Sequence, residues 1–191
     1  MKKIMMVAVM ALMTMTAFAQ LRVEAGYLTT KAKVGGDSSD DAMNSFKVGG
    51  YYMINDLVIE KSVVEAGVTF AMGSQKEDGV KTKYSNVAIP VNAGYKIEIT
   101  DEFSVRPYAG INFKFNTSLK SEFDAAGVKV TADAFDDDDA NRFQFGGQVG
   151  GLVQYKQFTA GVQFQSDFTS LYKKGDKVTM PNTAITVGMI F

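Results

Sequence analysis

The stretch that decides the fold is Phe103-Ser-Val-Arg-Pro-Tyr-Ala-Gly-Ile-Asn-Phe-Lys-Phe-Asn116. Read with a period of two, it separates into two faces. Phe103, Val105, Pro107, Ala109, Ile111, Phe113 and Phe115 fall on one face. Ser104, Arg106, Tyr108, Gly110, Asn112, Lys114 and Asn116 fall on the other. Alternation sustained over this length marks a strand whose two sides meet different surroundings.

Outward from this stretch the same pattern recurs. Phe143, Phe145, Val149, Val153 and Tyr155 oppose Gln144, Gly146, Gln148, Gly150 and Gln154. Phe158, Ala160, Val162, Phe164 and Phe168 oppose Thr159, Gly161, Gln163, Gln165 and Asp167. At the end of the chain, Ile185, Val187, Met189 and Phe191 oppose Ala184, Thr186 and Gly188. Four weaker stretches, Leu21–Lys33, Ser45–Ile54, Val58–Met72 and Lys83–Ile99, bring the expected total to eight strands. Pro90 predicts a bulge or local break in the last of these, because proline cannot donate to a ladder.

The connections alternate in length. Residues 35–43, 73–81, 118–141 and 169–181 read as long loops, whereas Asn55-Asp56-Leu57, Thr100-Asp101-Glu102 and Lys156-Gln157 read as tight turns. Gly35-Gly36-Asp37 and Gly79 read as turn chemistry, since no helix follows to make a phosphate cradle. An even number of strands with alternating connections predicts an up-and-down antiparallel barrel with its long loops at one end.

Two eight-stranded barrels share this pattern. A soluble lipocalin-like ligand carrier points its apolar face inward; a membrane barrel points it outward. Volume decides between them. The apolar faces carry bulky Phe, Val, Ile and Tyr, and the opposite faces mix Gly, Ala, Thr and Gln with a few charges. An eight-stranded interior is only wide enough to be filled by side chains. Small residues beside long polar ones suit that interior, and rows of Phe suit lipid. The expected fold is therefore all-β, an eight-stranded antiparallel up-and-down transmembrane β-barrel.

Composition narrows the chemistry. The chain has 191 residues and contains no histidine, cysteine or tryptophan. Ser-His-Asp and Cys-His machinery, Cys/His zinc sites and disulfides are excluded, as is the Gly-x-Trp signature of lipocalins. Lys2 and Lys3, the apolar run Ile4–Phe18 and Ala17-Phe18-Ala19 read as a secretory signal peptide over residues 1–19, leaving a barrel domain over 20–191. A transmembrane helix is the weaker reading, since the run is short for a ~30 Å hydrocarbon core and no positive flank follows. Loss of the two lysines leaves 18 basic and 21 acidic residues, a net charge of −3, which argues against a nucleic-acid partner.

Val87-Ala-Ile-Pro-Val-Asn-Ala-Gly-Tyr-Lys-Ile97, followed after a tight turn by Val105-Arg-Pro-Tyr-Ala-Gly-Ile111, resembles the outer-membrane β-barrel domain family, PorT-like members included. Phe145-Gly-Gly-Gln-Val-Gly-Gly-Leu-Val-Gln-Tyr155 and Phe158-Thr-Ala-Gly-Val162 resemble its sixth and seventh strands. The likeness is strongest over 87–191 and loose over 21–86. It implies a small barrel of the OmpA/OmpX type in the outer membrane of a Gram-negative bacterium, and supplies no catalytic residue. The small enzymes of this type, by that resemblance, rest on a histidine that this chain lacks. The terminal Phe191 resembles the aromatic residue that the barrel assembly machinery recognises.

Candidate sites follow from which charges share the small-residue face. Glu24, Lys47, Glu65, Lys96, Glu98, Arg106, Lys114 and Asp167 are expected to point inward. Because unpaired buried charge is costly, mixed signs in one lumen predict pairing, with Glu24, Glu65, Glu98, Arg106 and Lys114 as its main members. Asp136–Asp139, with Glu122, Asp124 and Asp133 nearby, make the longest loop acidic. Four consecutive aspartates lack the alternate-residue spacing of a calcium loop, so they read as a solvated surface and no metal or cofactor is expected. The expected function is a non-enzymatic outer-membrane barrel with a filled lumen. Its partners are outer-membrane lipid, the assembly machinery and a surface or host ligand at loops 35–43, 73–81, 118–141 and 169–181. Porin-like permeation through a narrow channel, a soluble lipocalin-like ligand carrier and an outer-membrane lipid-modifying enzyme are the alternatives.

Deleting Phe191 should reduce assembly into the outer membrane more than it lowers the stability of protein already folded. One interfacial ring contributes at most about 2 kcal/mol of transfer free energy, whereas the terminal strand must be recognised before closure. Surface-exposed protein in cells is compared with denaturant midpoints of refolded protein. Normal assembly with a collapsed midpoint would make Phe191 a packing residue instead.

Overall fold

The computed structural model describes residues 19–77, 80–125, 128–135, 140–173 and 175–191. The segment read as a signal peptide lies outside them but for Ala19, as do Gly79 and Asp136–Asp139. In chain order the strands are β1 (Ala19–Val34), β2 (Asp37–Asn55), β3 (Ser62–Glu77), β4 (Val80–Tyr95), β5 (Ile97–Glu98), β6 (Phe103–Ala125), β7 (Val128–Asp133), β8 (Phe143–Tyr155), β9 (Phe158–Asp167), β10 (Val178–Thr179) and β11 (Asn182–Ile190). Eight of these build the wall, each antiparallel to its neighbours, in the order β1-β2-β3-β4-β6-β8-β9-β11. Pairing of β1 with both β2 and β11 closes the sheet on itself. The other three strands are short additions, β5 and β7 to β6 and β10 to β1.

The alternation in the wall runs as the volumes required. Val23, Val48, Val68, Ile89, Ile111, Val149, Val162, Ile185 and Val187 are exposed on the outside. Arg22, Lys47, Glu65, Asn92, Arg106, Lys114, Gln148 and Gln163 are buried inside. Aromatic rings continue from strand to strand on the outer face. Phe113 lies 5.3 Å from Phe145 and Phe145 lies 5.5 Å from Phe168 between ring centroids, the separations at which such pairs attract. Inside, glycine makes room for polar rings: a Cβ at Gly150 would stand 2.5 Å from the Tyr108 hydroxyl.

The long connections differ from the expectation. Residues 35–43 and 73–81 are mostly strand, and residues 118–141 hold the end of β6 and all of β7. The Gly35-Gly36 pair, with φ of 60° and 106°, makes a two-residue turn that lets β2 resume at Asp37 opposite Val34. Glu77 pairs with Val80 and Ala125 with Val128, so these hairpins stay laddered to their tips. A membrane crossing takes about 10 residues of tilted strand. The 23 residues of β6 therefore carry the sheet well past the hydrocarbon. At the opposite end, Val58 and Ile59 fall in the turn before β3 instead of in the strand. There Ser62 Oγ accepts from both of their amides at 3.2 Å, and the Asp56 carboxylate accepts from Lys61.

Pro90 breaks the ladder locally. Pairing of β3 with β4 lapses between Thr69↔Ala88 and Ala66↔Val91 and resumes in the same register. The register shift in β4 lies elsewhere, between Ser85 and Asn86, where β6 accommodates one extra residue at Thr117.

A closed ladder has no edge to fray in detergent. Unboiled protein is expected to migrate differently from boiled protein on a gel. Identical migration after refolding would contradict closure.

Candidate functional site

The lumen gathers the polar chemistry of the chain, and Glu65 on β3 is its pivot. Arg22 Nη2 donates to Glu65 Oε1 at 2.9 Å, Arg106 Nη2 to Oε2 at 2.9 Å and Asn92 Nδ2 to Oε1 at 2.9 Å. Glu24, two residues along from Arg22 and on the same face, accepts from Arg22 Nη1, from Lys47 Nζ at 2.7 Å and from the Tyr51 hydroxyl at 2.9 Å. The Arg22 guanidinium also lies 4.0 Å from the centre of the Tyr51 ring. Three cations and two carboxylates from four strands, with Asn92 on a fifth, thus form one knot, and none of the five charged groups is more than 7% exposed.

Amides carry the network up the barrel. Lys47 Nζ donates to Gln163 Oε1 at 3.0 Å, Gln163 Nε2 to Gln148 Oε1 at 2.9 Å, and Gln148 Nε2 to Asn92 Oδ1. Above them Lys114 Nζ meets Asp167 Oδ2 at 2.7 Å, an oxygen that also accepts from the Met180 amide at 3.2 Å. Tyr84, Asn116 and Gln144 form a further row, linked at 2.8 and 2.9 Å. An apolar cluster of Met43, Tyr84, Phe135, Ala140, Leu171 and Met180 then covers the long-hairpin end.

A space of about 20 Å³ lies among Ser45, Asn112, Lys114, Gln148, Gln163 and Asn182, enough for a single water. Ser45 Oγ, Asn112 Oδ1 and Asn182 Oδ1 border it without a protein partner. This arrangement fills and rigidifies a lumen. Among the described residues, no group of three or more His, Cys, Asp or Glu is placed to hold a metal ion.

Of the residues singled out in the sequence, the structure brings Glu24, Glu65 and Arg106 together with Lys47, and pairs Lys114 with Asp167. Glu98 and Lys96 are corrections. The β3–β4 ladder ends at Tyr95, and Glu98 lies on β5 at the short-turn rim, with its side chain 47% exposed. There Lys96 at 3.1 Å and Lys61 at 3.4 Å hold it. Hydrogen bonds from Lys96 and then Lys61 keep its carboxyl below the usual carboxylate range. Strand parity assigned both to the lumen, but parity holds only while the strand continues. The charge pattern alone does not single out Arg22, Tyr51 and Asn92, although Arg22 shares the parity of Glu24. Its signal is present at the start of the first alternating stretch, Leu21–Lys33. In the acidic hairpin, Glu122 pairs with Lys83 at 2.5 Å and Asp133 stands 3.9 Å from Lys120.

A family described as outer membrane protein beta-barrel domain matches residues 4–191. No curated protein matches the chain. Among solved structures the fold is similar to Neisserial surface protein A, at 16% identity and TM-score 0.56, covering 90% of this chain and 97% of that one. It is similar to Ail, the attachment invasion locus protein of Yersinia pestis, solved with the heparin analogue sucrose octasulfate. That likeness has 13% identity and TM-score 0.51, covering 91% of this chain and 99% of that one. It is also similar to the outer membrane enzyme PagL, at 8% identity and TM-score 0.51, covering 87% of this chain and 97% of that one.

Glu65→Ala leaves Arg22 and Arg106 poorly compensated in a desolvated lumen and should cost about 3–5 kcal/mol. Lys156→Ala removes an ion pair with Glu102 whose side chains are both 54% exposed and should cost about 0–1 kcal/mol. Urea titrations in lipid rank the two; the reverse order would mean that the knot does not hold the barrel.

Proposed function

We propose, from the premise that the chain belongs to the outer membrane protein beta-barrel domain family, that it is a non-enzymatic integral outer-membrane protein with a closed lumen, which acts through what its long-hairpin end contacts at the cell surface. Residues 1–19 serve as its export signal, residues 20–191 form the barrel, and Phe191 is the mark read by the assembly machinery. The observation that carries the reading is the filling of the lumen at successive levels. The Arg22–Glu24–Lys47–Glu65–Arg106 knot, the Lys114–Asp167 pair and the apolar cluster around Phe135 occupy the lumen one above another. An eight-stranded wall encloses too little width for a channel once such side chains occupy it.

The enzyme reading has a precedent in PagL, which shares this fold. The present chain, however, has neither histidine nor cysteine to activate a nucleophile or act as a base near neutral pH. The charged groups of its lumen that the structure describes are paired with one another. The place left for recognition is the end where β2, β3, β4, β6 and β7 rise beyond the hydrocarbon. Ail, which has a similar fold, was solved with a heparin analogue; for this chain the class of role carried over is engagement of a surface or host ligand.

The full chain refolded into liposomes should show no ion flux above that of empty vesicles. Discrete conductance steps in a planar bilayer would overturn the closed-lumen reading in favour of permeation. Release of product from labelled lipid A by the same preparation would overturn the non-enzymatic one.

A further inference from the structure

The outer face of the β3–β4–β6 sector is layered along the strand direction. Cross-strand partners share a face, so the registers define rows around the wall. Phe70, Val87 and Phe115 form an apolar row, and Met72, Ser85 and Ser118 the row above it. Next come Ser74, Lys83, Lys120 and Asp133, and then Lys76, Lys81 and Glu122. The neighbouring positions Tyr84 and Leu119 belong to the apolar cluster at the inner side, which sets Lys83, Ser85, Ser118 and Lys120 outward. Each row lies about 7 Å beyond the last, two residues of strand. The wall therefore passes from apolar to hydroxyl to cationic within about 14–20 Å.

Two features distinguish this gradient from ordinary surface charge. Lys76 stands directly opposite Lys81, and Lys83 directly opposite Lys120. Like charges in that relation repel. Glu122 at 2.5 Å from Lys83 and Asp133 at 3.9 Å from Lys120 compensate in part. Four lysines against these two carboxylates leave an excess of two positive charges on the described face. A groove of about 400 Å³ opens at the same place, bordered by Met72, Ser74, Lys83, Ser85 and Ser118. Its floor is thioether and its rim is hydroxyl and ammonium.

We propose that this groove binds the headgroup of an anionic phosphorylated lipid from the leaflet around the long-hairpin end. The phosphate sits between the opposed lysines, where it relieves their repulsion, and accepts hydrogen bonds from the serine hydroxyls. The acyl chains run down over Met72, Phe70 and Phe115, which are exposed and continuous with the apolar belt. A soluble anion fits the charge but leaves the apolar floor bare, so a lipid is the occupant. The inference rests on the outer-membrane placement of the wall and not on what the hairpin tips bind.

The test uses the full chain refolded in mixed micelles containing bisphosphorylated lipid A and phosphatidylcholine, with retained lipid counted by native mass spectrometry. Lipid A is expected to be retained in preference to phosphatidylcholine. Retention should fall by about tenfold or more in Lys81→Gln/Lys83→Gln/Lys120→Gln, whose unboiled gel migration should match that of the parent. In the unaltered protein it should also fall at high salt, where the Debye length drops to about 3–4 Å; this second arm needs no variant. Equal retention of both lipids, or retention unchanged by the substitutions and by salt, overturns the proposal. So does displacement by millimolar inorganic phosphate, which would make the site one for free anions, or by sucrose octasulfate, which would make it one for soluble polyanions.

Discussion

Hydrocarbon offers a peptide group no hydrogen-bond partner, and each unmet group costs several kcal/mol there. A strand wall in lipid therefore has to close, and here β1 completes the circle by pairing with both β2 and β11. Closure with eight strands in turn sets the diameter, and the diameter sets what the inside can hold. The rest of the architecture follows from that sequence of constraints. Valine, isoleucine and phenylalanine face out because the surroundings are apolar. Residues facing inward alternate between very small and long polar because little space remains. The hairpins lengthen at one end, because ladder bonds are as good a solution above the membrane as within it.

A narrow interior that contains charge must also neutralise it locally. Desolvated carboxylates and guanidinium groups are tolerated when several good hydrogen bonds meet each of them. Glu65 receives Arg22, Arg106 and Asn92; Glu24 receives Arg22, Lys47 and Tyr51. The knot spans β1, β2, β3, β4 and β6, so it also joins strands that are not neighbours in the sheet. Glutamine and asparagine amides, which donate and accept at once, then carry the network to β8 and β9 without further charge. A filled, cross-linked lumen of this kind is a mechanical core. It takes the place of the apolar interior that a membrane barrel gives up by turning its hydrophobic residues outward.

Much of this was legible from alternation alone. In Phe103–Asn116 the two faces differ at every position, and the placement of Arg106 and Lys114 inside follows from parity. The same holds for Glu24, Lys47, Glu65 and Asp167. Parity fails where a strand ends without a breaker. The chain from Lys83 to Ile99 reads as continuous, yet β4 stops at Tyr95, and Lys96 and Glu98 reach solvent. Which arginine meets which glutamate was not legible, because it depends on the stagger between strands distant in sequence. The apolar cap was equally hidden: Phe135, Leu171 and Met180 lie outside the alternating segments and come together only after closure. The hairpin tips misled for a different reason. Polar composition marks solvent exposure, and a hairpin in water keeps its ladder while being polar on both sides.

The central claim is that the apolar face meets lipid and the charged face fills the lumen. Since the chain has no cysteine, single cysteines from Ala109 to Phe115 can be labelled one at a time with a fluorophore in the liposome-refolded protein. Quenching by brominated lipid reads the contact directly. The account predicts strong quenching at Ala109, Ile111, Phe113 and Phe115 and weak quenching at Gly110, Asn112 and Lys114. The opposite alternation, or none, would contradict it.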